Sequence, residues 1–587
     1  MNSKNQTHTY VRPALFAAGF LILLILLSYS GSGAGSAAAE ENDTPTRRVN
    51  VPYFADGVKF SETAIFWFGR VDNQSNYVDV RVGYDSNKLW IHTAATDRRL
   101  WYNEKLDKNP NVADLPNWDA VTIFLDTTNN GGSSPSAGDY RFISQLTFWE
   151  PRTNYNAAYK GNGGNWVQTP FTITAKSGWR GNEPNDNSDD RGWVMTFEIP
   201  FSELGLSGPP SQGTVWGLGV ALHDRDTAAG PPLAIQRWPE QMNGSQPSTW
   251  GDLSFGLPSY TSPAAVQGGT ATIRHKLNGA TVKDAHVGGS TVCGGAYGPN
   301  YFDGWGDANY AGARQINIQN MGDIADWPCF SKVYLSFPLE SVPANQKILS
   351  AKLTLHQFGG ADVSTGQPSL IQVFTVNEDW NEGTITWNNA PLAAQNVARS
   401  WADVIKDYPG WPGIPVSWDV SGAVADAYEN GTDLRLALYE ADWALHSGKY
   451  FLSSEEEDLN AIARPTLEVE WGSPGFVFDV NPQNQAISSG ESTSYTITVQ
   501  HGQGLNQNIL LEATNPSNML DVSISPASIS PPGGNATLTV KSKHAPSSTA
   551  AEIFTIPIKA SAGGNVQQTS VSLVINGQNS YLPMVKK

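Results

Sequence analysis

Runs of six to eight β-branched and aromatic residues, several alternating apolar with polar, recur along this chain while long helical periodicity does not. Examples are Tyr77-Val78-Asp79-Val80-Arg81-Val82, Ala120-Val121-Thr122-Ile123-Phe124-Leu125 and Ser494-Tyr495-Thr496-Ile497-Thr498-Val499. Only Phe201 to Leu206 and Val420 to Tyr428 read as short helical turns. The expectation is an all-β protein whose sheets face one another as sandwiches.

A length of 587 residues is too great for one hydrophobic core. Turn-forming composition shifts at Gly256 to Ala265 and at Gly472-Ser473-Pro474-Gly475. They divide the chain into expected sandwiches at 48–258, 265–472 and 475–576, with a tail at 577–587. No repeat at fixed spacing is present.

Lys4, His8 and Arg12 precede an apolar run from Pro13 to Leu27, and small residues end at Ala37-Ala38-Ala39. This layout predicts a signal peptide over 1–39 and a secreted or cell-surface protein, with an uncleaved anchor as the alternative. No later run is long enough to span a membrane, so the mature protein is expected to have no membrane span. Cys293 and Cys329 are the two cysteines. In an exported chain they are expected to form a disulfide, the alternative being two separately buried thiols.

Thirty-seven Lys and Arg against 55 Asp and Glu give a net charge of −18. Such a chain repels polyphosphates, so nucleic acid is not an expected partner. Twenty Trp, 20 Tyr and 22 Phe supply more rings than sandwich interiors require, and rings suit ligands with flat apolar faces. The sequence lacks a GxSxG elbow, an HExxH helix and a GxxxxGK loop. Glycosidases escape this test, because their two carboxylates leave no local pattern.

From Val51 to Gly256 the landmarks are Val82-Gly83-Tyr84-Asp85, Leu89-Trp90, Asp97, Trp118-Asp119-Ala120-Val121, Asp139-Tyr140-Arg141, Phe197-Glu198-Ile199-Pro200-Phe201, His223-Asp224-Arg225-Asp226 and Thr249-Trp250-Gly251-Asp252. This order resembles the family 9 carbohydrate-binding module, a DOMON-like sandwich. The resemblance implies noncatalytic binding of polysaccharide or oligosaccharide, with sugar faces stacked on indoles and hydroxyls held by planar polar groups. The binding residues it implies are Trp101, Tyr102, Glu104, Arg141 and Trp238. Trp90, Trp193 and Trp216, inside strand-like runs, are expected in the core. Asp224 and Asp226 resemble the family's acidic turn and are the expected ligands of a structural calcium ion. The acidic run Glu183 to Asp190 reads as a solvated turn.

Between Ala271 and Trp471, Asp284-Ala285-His286-Val287, Trp380-Asn381-Glu382, Thr386-Trp387-Asn388-Asn389-Ala390-Pro391 and Trp418-Asp419-Val420-Ser421 resemble a DNRLRE-type domain. Trp380 and Trp387 are expected to be packed, and Asn388 and Asn389 to bond loop backbone. Glu378, Asp379 and Glu382 lie close enough in sequence to group as a calcium site or a hydrolytic pair. Phe476 to Val574 resembles a bacterial immunoglobulin-like spacer. Tyr581-Leu582-Pro583-Met584-Val585 is similar to a terminal motif of exported bacterial proteins.

Together these resemblances imply a noncatalytic carbohydrate-binding protein auxiliary to polysaccharide degradation. The alternatives are an enzyme of carbohydrate catabolism, as a glycoside hydrolase or lyase-associated protein, and a cell-envelope scaffold or adhesion protein.

Overall fold

The computed structural model describes residues 47–147, 152–263, 265, 267–289, 298–320, 330–361, 364–442, 447–473, 475–502, 505–543 and 551–576. The expected signal peptide, the tail from 577 and both cysteines of the expected disulfide lie outside the described residues. The described part belongs to one compact unit, Pro45–Lys587. It is all-β, built from five sheets, and its α-helix among the described residues is Ser421–Glu429. No described helix is long and apolar enough to cross a membrane.

The first sandwich pairs a five-stranded antiparallel sheet with part of a 13-stranded one. The smaller sheet runs Ala64–Gly69, Tyr77–Tyr84, Lys88–Thr96, Gly192–Pro200, Thr174–Arg180. Its even-numbered residues Phe66, Val78, Val80 and Val82 share one core with Ile123, Leu125, Phe142, Leu218 and Val220 of the large sheet. Period-two alternation puts these side chains on one face. Trp193 and Trp216 are buried as expected, and Trp90 is half-buried.

The large sheet does not stop at the Gly256–Ala265 stretch. Arg48–Val51 lies parallel to Gly251–Phe255 on one side and meets Gln395 on the other, where the Arg48 amide donates to the Ala394 carbonyl at 2.7 Å. Beyond it the sheet continues through Gln395–Ala402, Ser369–Thr375, Leu434–Glu440, Ser331–Phe337 and Lys283–Gly288. These strands face a six-stranded sheet around Lys347–Gly360 and Thr466–Ser473.

A second contact joins the two sandwiches face to face. The odd-numbered residues Ile65, Trp67 and Tyr77 turn away from their own core and pack with Phe374, Trp387, Ala437 and Tyr439. Lys332 is buried among these rings, its Nζ 3.6 Å from the centre of Trp387 and 4.5 Å from that of Trp67. It donates to the Tyr77 hydroxyl at 3.0 Å, and that hydroxyl donates to Asp79 at 2.6 Å. Asp79 also accepts from Asn320 Nδ2 at 2.9 Å and the Tyr439 hydroxyl at 3.2 Å. Arg81 Nε donates to the Ala441 carbonyl at 3.0 Å. Burial holds the Lys332 amine well below its ordinary range.

The expected structural roles around Trp380 to Pro391 have a wider reach than the loop itself. Trp380 and Trp387 are buried, and the Asn389 side chain accepts from the Thr386 amide at 2.7 Å. Asn388 crosses to the first sandwich instead: its Oδ1 accepts from the Val71 amide at 2.8 Å and its Nδ2 donates to the Val71 carbonyl at 3.1 Å.

The third sandwich stacks a four-stranded sheet on a five-stranded one. Among the described residues its core, from Phe476 to Ile575, draws on none of the other two.

Candidate functional site

Three strands of the first sandwich end at one place, each with an aspartate. Asp97 follows Lys88–Thr96, Asp119 precedes Ala120–Asp126, and Asp224 follows Val215–His223. One oxygen from each lies within 4.8 Å of the others, and all three residues are buried. The hydrogen bonds they accept come from neutral groups. Asp97 takes the Arg99 amide at 3.0 Å and the Trp193 indole at 3.1 Å. Asp119 takes the Trp101 amide at 2.6 Å and the Arg225 amide at 3.0 Å.

Burial first, then the mutual repulsion of like charges, drives Asp97 and Asp119 well above the usual carboxylate range and Asp224 up to about 8. Clustered hard oxygens in that condition fit a divalent cation such as calcium, which would relieve both causes at once. Of the two expected calcium ligands, Asp224 belongs to this cluster. Asp226 is half-buried beside it and acts on Asp224 and Asp97 through its charge. Asp97 and Asp119 were visible as landmarks of the sequence, but nothing local joins them to Asp224, because the three meet only when the strands align.

The expected stacking rings lie elsewhere. Trp101 is 7% exposed and Trp238 1%, and the latter packs on Phe66 with ring centres 4.0 Å apart. This corrects the expectation of platforms at these positions: the loop after Asp97 folds inward as the Trp101 amide caps Asp119, and Trp238 follows the strand Gln236–Trp238 into the core. Tyr102 is buried beside Tyr155, 6.3 Å between ring centres. Glu104 is exposed and accepts from Asn185 Nδ2 at 3.1 Å. The neighbouring Asn103 amide donates to Gln145, four residues along the strand from Arg141, so Glu104 and Arg141 do not converge.

Arg141 stands on a different aromatic face. Its guanidinium lies 3.8 Å from the centre of the Tyr159 ring and 5.8 Å from that of Trp166. Trp166 in turn lies nearly parallel to Trp250, 6.4 Å away with 6° between planes, and Phe124 packs against both, 6.1 and 5.4 Å from their centres. Tyr159 and Trp166 flank the hairpin turn Gly163–Gly164, whose φ values of +58° and +101° favour glycine. The two glycines between aromatic-bearing segments were the signal that would have found this face. His223, whose Nε2 pairs with Thr122 Oγ1 at 2.9 Å, lies toward its far side; burial lowers its pKa to about 4.

The other acidic groups separate. In the run Glu183 to Asp190, Asp189 pairs with Arg98 at 2.9 Å and Arg99 at 2.7 Å, while Asp190 accepts from the Leu100 amide. Glu378, Asp379 and Glu382 do not form the expected group. Glu378 pairs with Arg47 at 2.6 Å, Asp379 with Lys283 at 2.9 Å, and Glu382 joins Asp284 and Glu455. The three lie in the loop after Ser369–Thr375, where Arg47 and Lys283 draw Glu378 and Asp379 into separate ion pairs and Glu382 turns to the other acids.

Residues 302–469 match the model of carbohydrate-binding module family 96. No curated protein matches the chain significantly. Among solved structures, a family 9 carbohydrate-binding module from Caldicellulosiruptor kristjanssonii in complex with cellotriose is 15% identical, with 36% of this chain and 95% of that chain covered and a TM-score of 0.24. Domains 1–6 of the surface layer protein SbsC are 10% identical, covering 84% and 53% of the two chains, with a TM-score of 0.15. These structural likenesses are too slight to lend the chain a function.

Proposed function

We propose that this is a noncatalytic polysaccharide-binding protein, exported and auxiliary to polysaccharide degradation. The match of residues 302–469 to a carbohydrate-binding family carries the reading. In the first sandwich the Arg141 fork between Tyr159 and Trp166 supplies what a sugar needs, flat rings for CH faces and planar donors for hydroxyls. Export is supported by the charged, apolar and small-residue order of the first 39 residues.

Native affinity electrophoresis of the mature chain in gels containing xylan, hydroxyethylcellulose, alginate or pectate tests the reading. Retardation in at least one gel is expected, and free migration in all four overturns it.

Calcium is the cation proposed for Asp97, Asp119 and Asp224. Saturating calcium at about 100 times its dissociation constant is expected to stabilise the first sandwich by about 2.7 kcal/mol. Calorimetry with and without chelator measures this; a melting temperature indifferent to calcium, in the parent and in Asp119→Asn alike, removes the cation from the account.

A further inference from the structure

Sandwich proteins hide their large rings, and among the described residues this one leaves few of them exposed. Among the described residues, the exposed tryptophans are Trp401, with 49% of its surface in solvent, and Trp411, with 60%. Tyr408, between them, is 69% exposed. Three large aromatic side chains thus stand in water within eleven consecutive residues of the second sandwich.

Their backbone is anchored rather than loose. Trp401 lies on Gln395–Ala402, paired with Leu370, and it shares the outward side of that strand with Arg399. Ala402 and Ile405 are buried beneath the loop, and Gln357 Nε2 donates to the Asp403 carbonyl at 2.9 Å. On the far side the Gly413 amide closes a turn on the Gly410 carbonyl at 2.9 Å, just before the strand Ile414–Asp419. Gly413 has φ +99°, and a Cβ there would lie 2.8 Å from the Gln357 carbonyl oxygen. Small apolar residues pin the loop while the largest face outward, the reverse of what burial alone would select.

We infer that Trp401, Tyr408 and Trp411 form a second saccharide-stacking surface, separate from the Arg141 face, that takes a neutral polysaccharide chain. The inference rests on the polysaccharide-binding reading above. Indole and phenol faces held in place stack on the CH faces of pyranose units at little entropic loss. Charge selects the class of chain. Asp403 and Asp407 are balanced by Lys406 and by Arg399 on the outward side of the same strand, so the rings carry no net positive charge to hold a polyuronate, which the −18 of the whole chain repels, while a neutral glycan is indifferent to both.

The test uses the mature full chain and the double variant Trp401→Ala/Trp411→Ala in native gels of hydroxyethylcellulose, xylan, alginate and pectate, with sedimentation velocity in parallel. The expected result is at least tenfold weaker retardation of the double variant in a neutral gel, with melting temperature unchanged. Retardation of the parent chain that the double variant keeps in full, while Arg141→Ala loses it, overturns this surface and leaves the polysaccharide reading standing. Free migration of the parent in every gel overturns both. Loss of a parental dimer in the double variant, with gel retardation intact, makes the rings a protein interface and also overturns the inference.

Discussion

The third sandwich and the first use the same kind of strand to opposite ends. In the third, burial alternates as a solvated sandwich requires: along Ser492–His501, Tyr495, Ile497 and Val499 are buried and the residues between them are not. In the first, Tyr77–Tyr84 is buried at all eight positions, although it too alternates Val78, Val80 and Val82 with Asp79 and Arg81. The outward face that meets water in one case meets the second sandwich in the other. Alternation in a sequence therefore reports which face is apolar, and a polar face is not by that fact a wet one.

The sharpest way to break this contrast is Asp79→Ala, which leaves the Tyr77 and Tyr439 hydroxyls without their common acceptor and Lys332 without the carboxylate charge near it. A loss of about 3–5 kcal/mol is expected. Urea unfolding should show the first two sandwiches parting from a shared transition while the third stays as it was. A retained shared transition would show that the buried network does not couple them.

Leu538→Ala, in the core of the third sandwich, is expected to cost about 2–5 kcal/mol. Because that core draws on no residue outside 476–575, only the third sandwich should melt earlier. A parallel shift in the other two would contradict its independence.

His92 sharpens the comparison through pH. It lies on the outward side of its strand, buried and opposite Arg81, and burial followed by the Arg81 charge lowers its pKa to about 3. The unfolded chain takes up the proton near pH 6.5, so the contribution of the neutral imidazole is complete above that and is lost as pH falls toward 3. About 2 kcal/mol should be gone by pH 5. Melting curves of His92→Gln against the parent should diverge above pH 6.5 and converge in acid; a constant difference across the range would place the imidazole in water.

The smallest effect belongs to the outward positions of the third sandwich. Ile553, 75% exposed, should tolerate replacement by Thr within about 0.5 kcal/mol. A loss comparable to that of Asp79→Ala would mean that this face too is covered.

Most of the strands were legible, since β-branched and aromatic alternation is a local property: the runs at 77–82, 120–125 and 494–499 are all strands. The candidate site was legible only in part. Arg141 and Asp224 were expected as site residues, and the structure sets the first over the Tyr159 ring and the second beside Asp97 and Asp119. The family 9 resemblance implies ligand-facing rings at Trp101 and Trp238, yet the Asp119 cap and the Phe66 ring draw them in. Trp166 carried no family landmark and went unnoticed, although its ring faces Arg141.

By itself the sequence determined that this chain makes β-sheets, which residues of each strand belong to a core, and that its surface is acidic, because propensity, period and charge are summed over neighbours along the backbone. Only the tertiary structure decided which polar faces are dry, which three aspartates meet, and which rings remain in water. Those outcomes depend on strands brought together from distant parts of the chain, and no local pattern encodes what will lie on the other side.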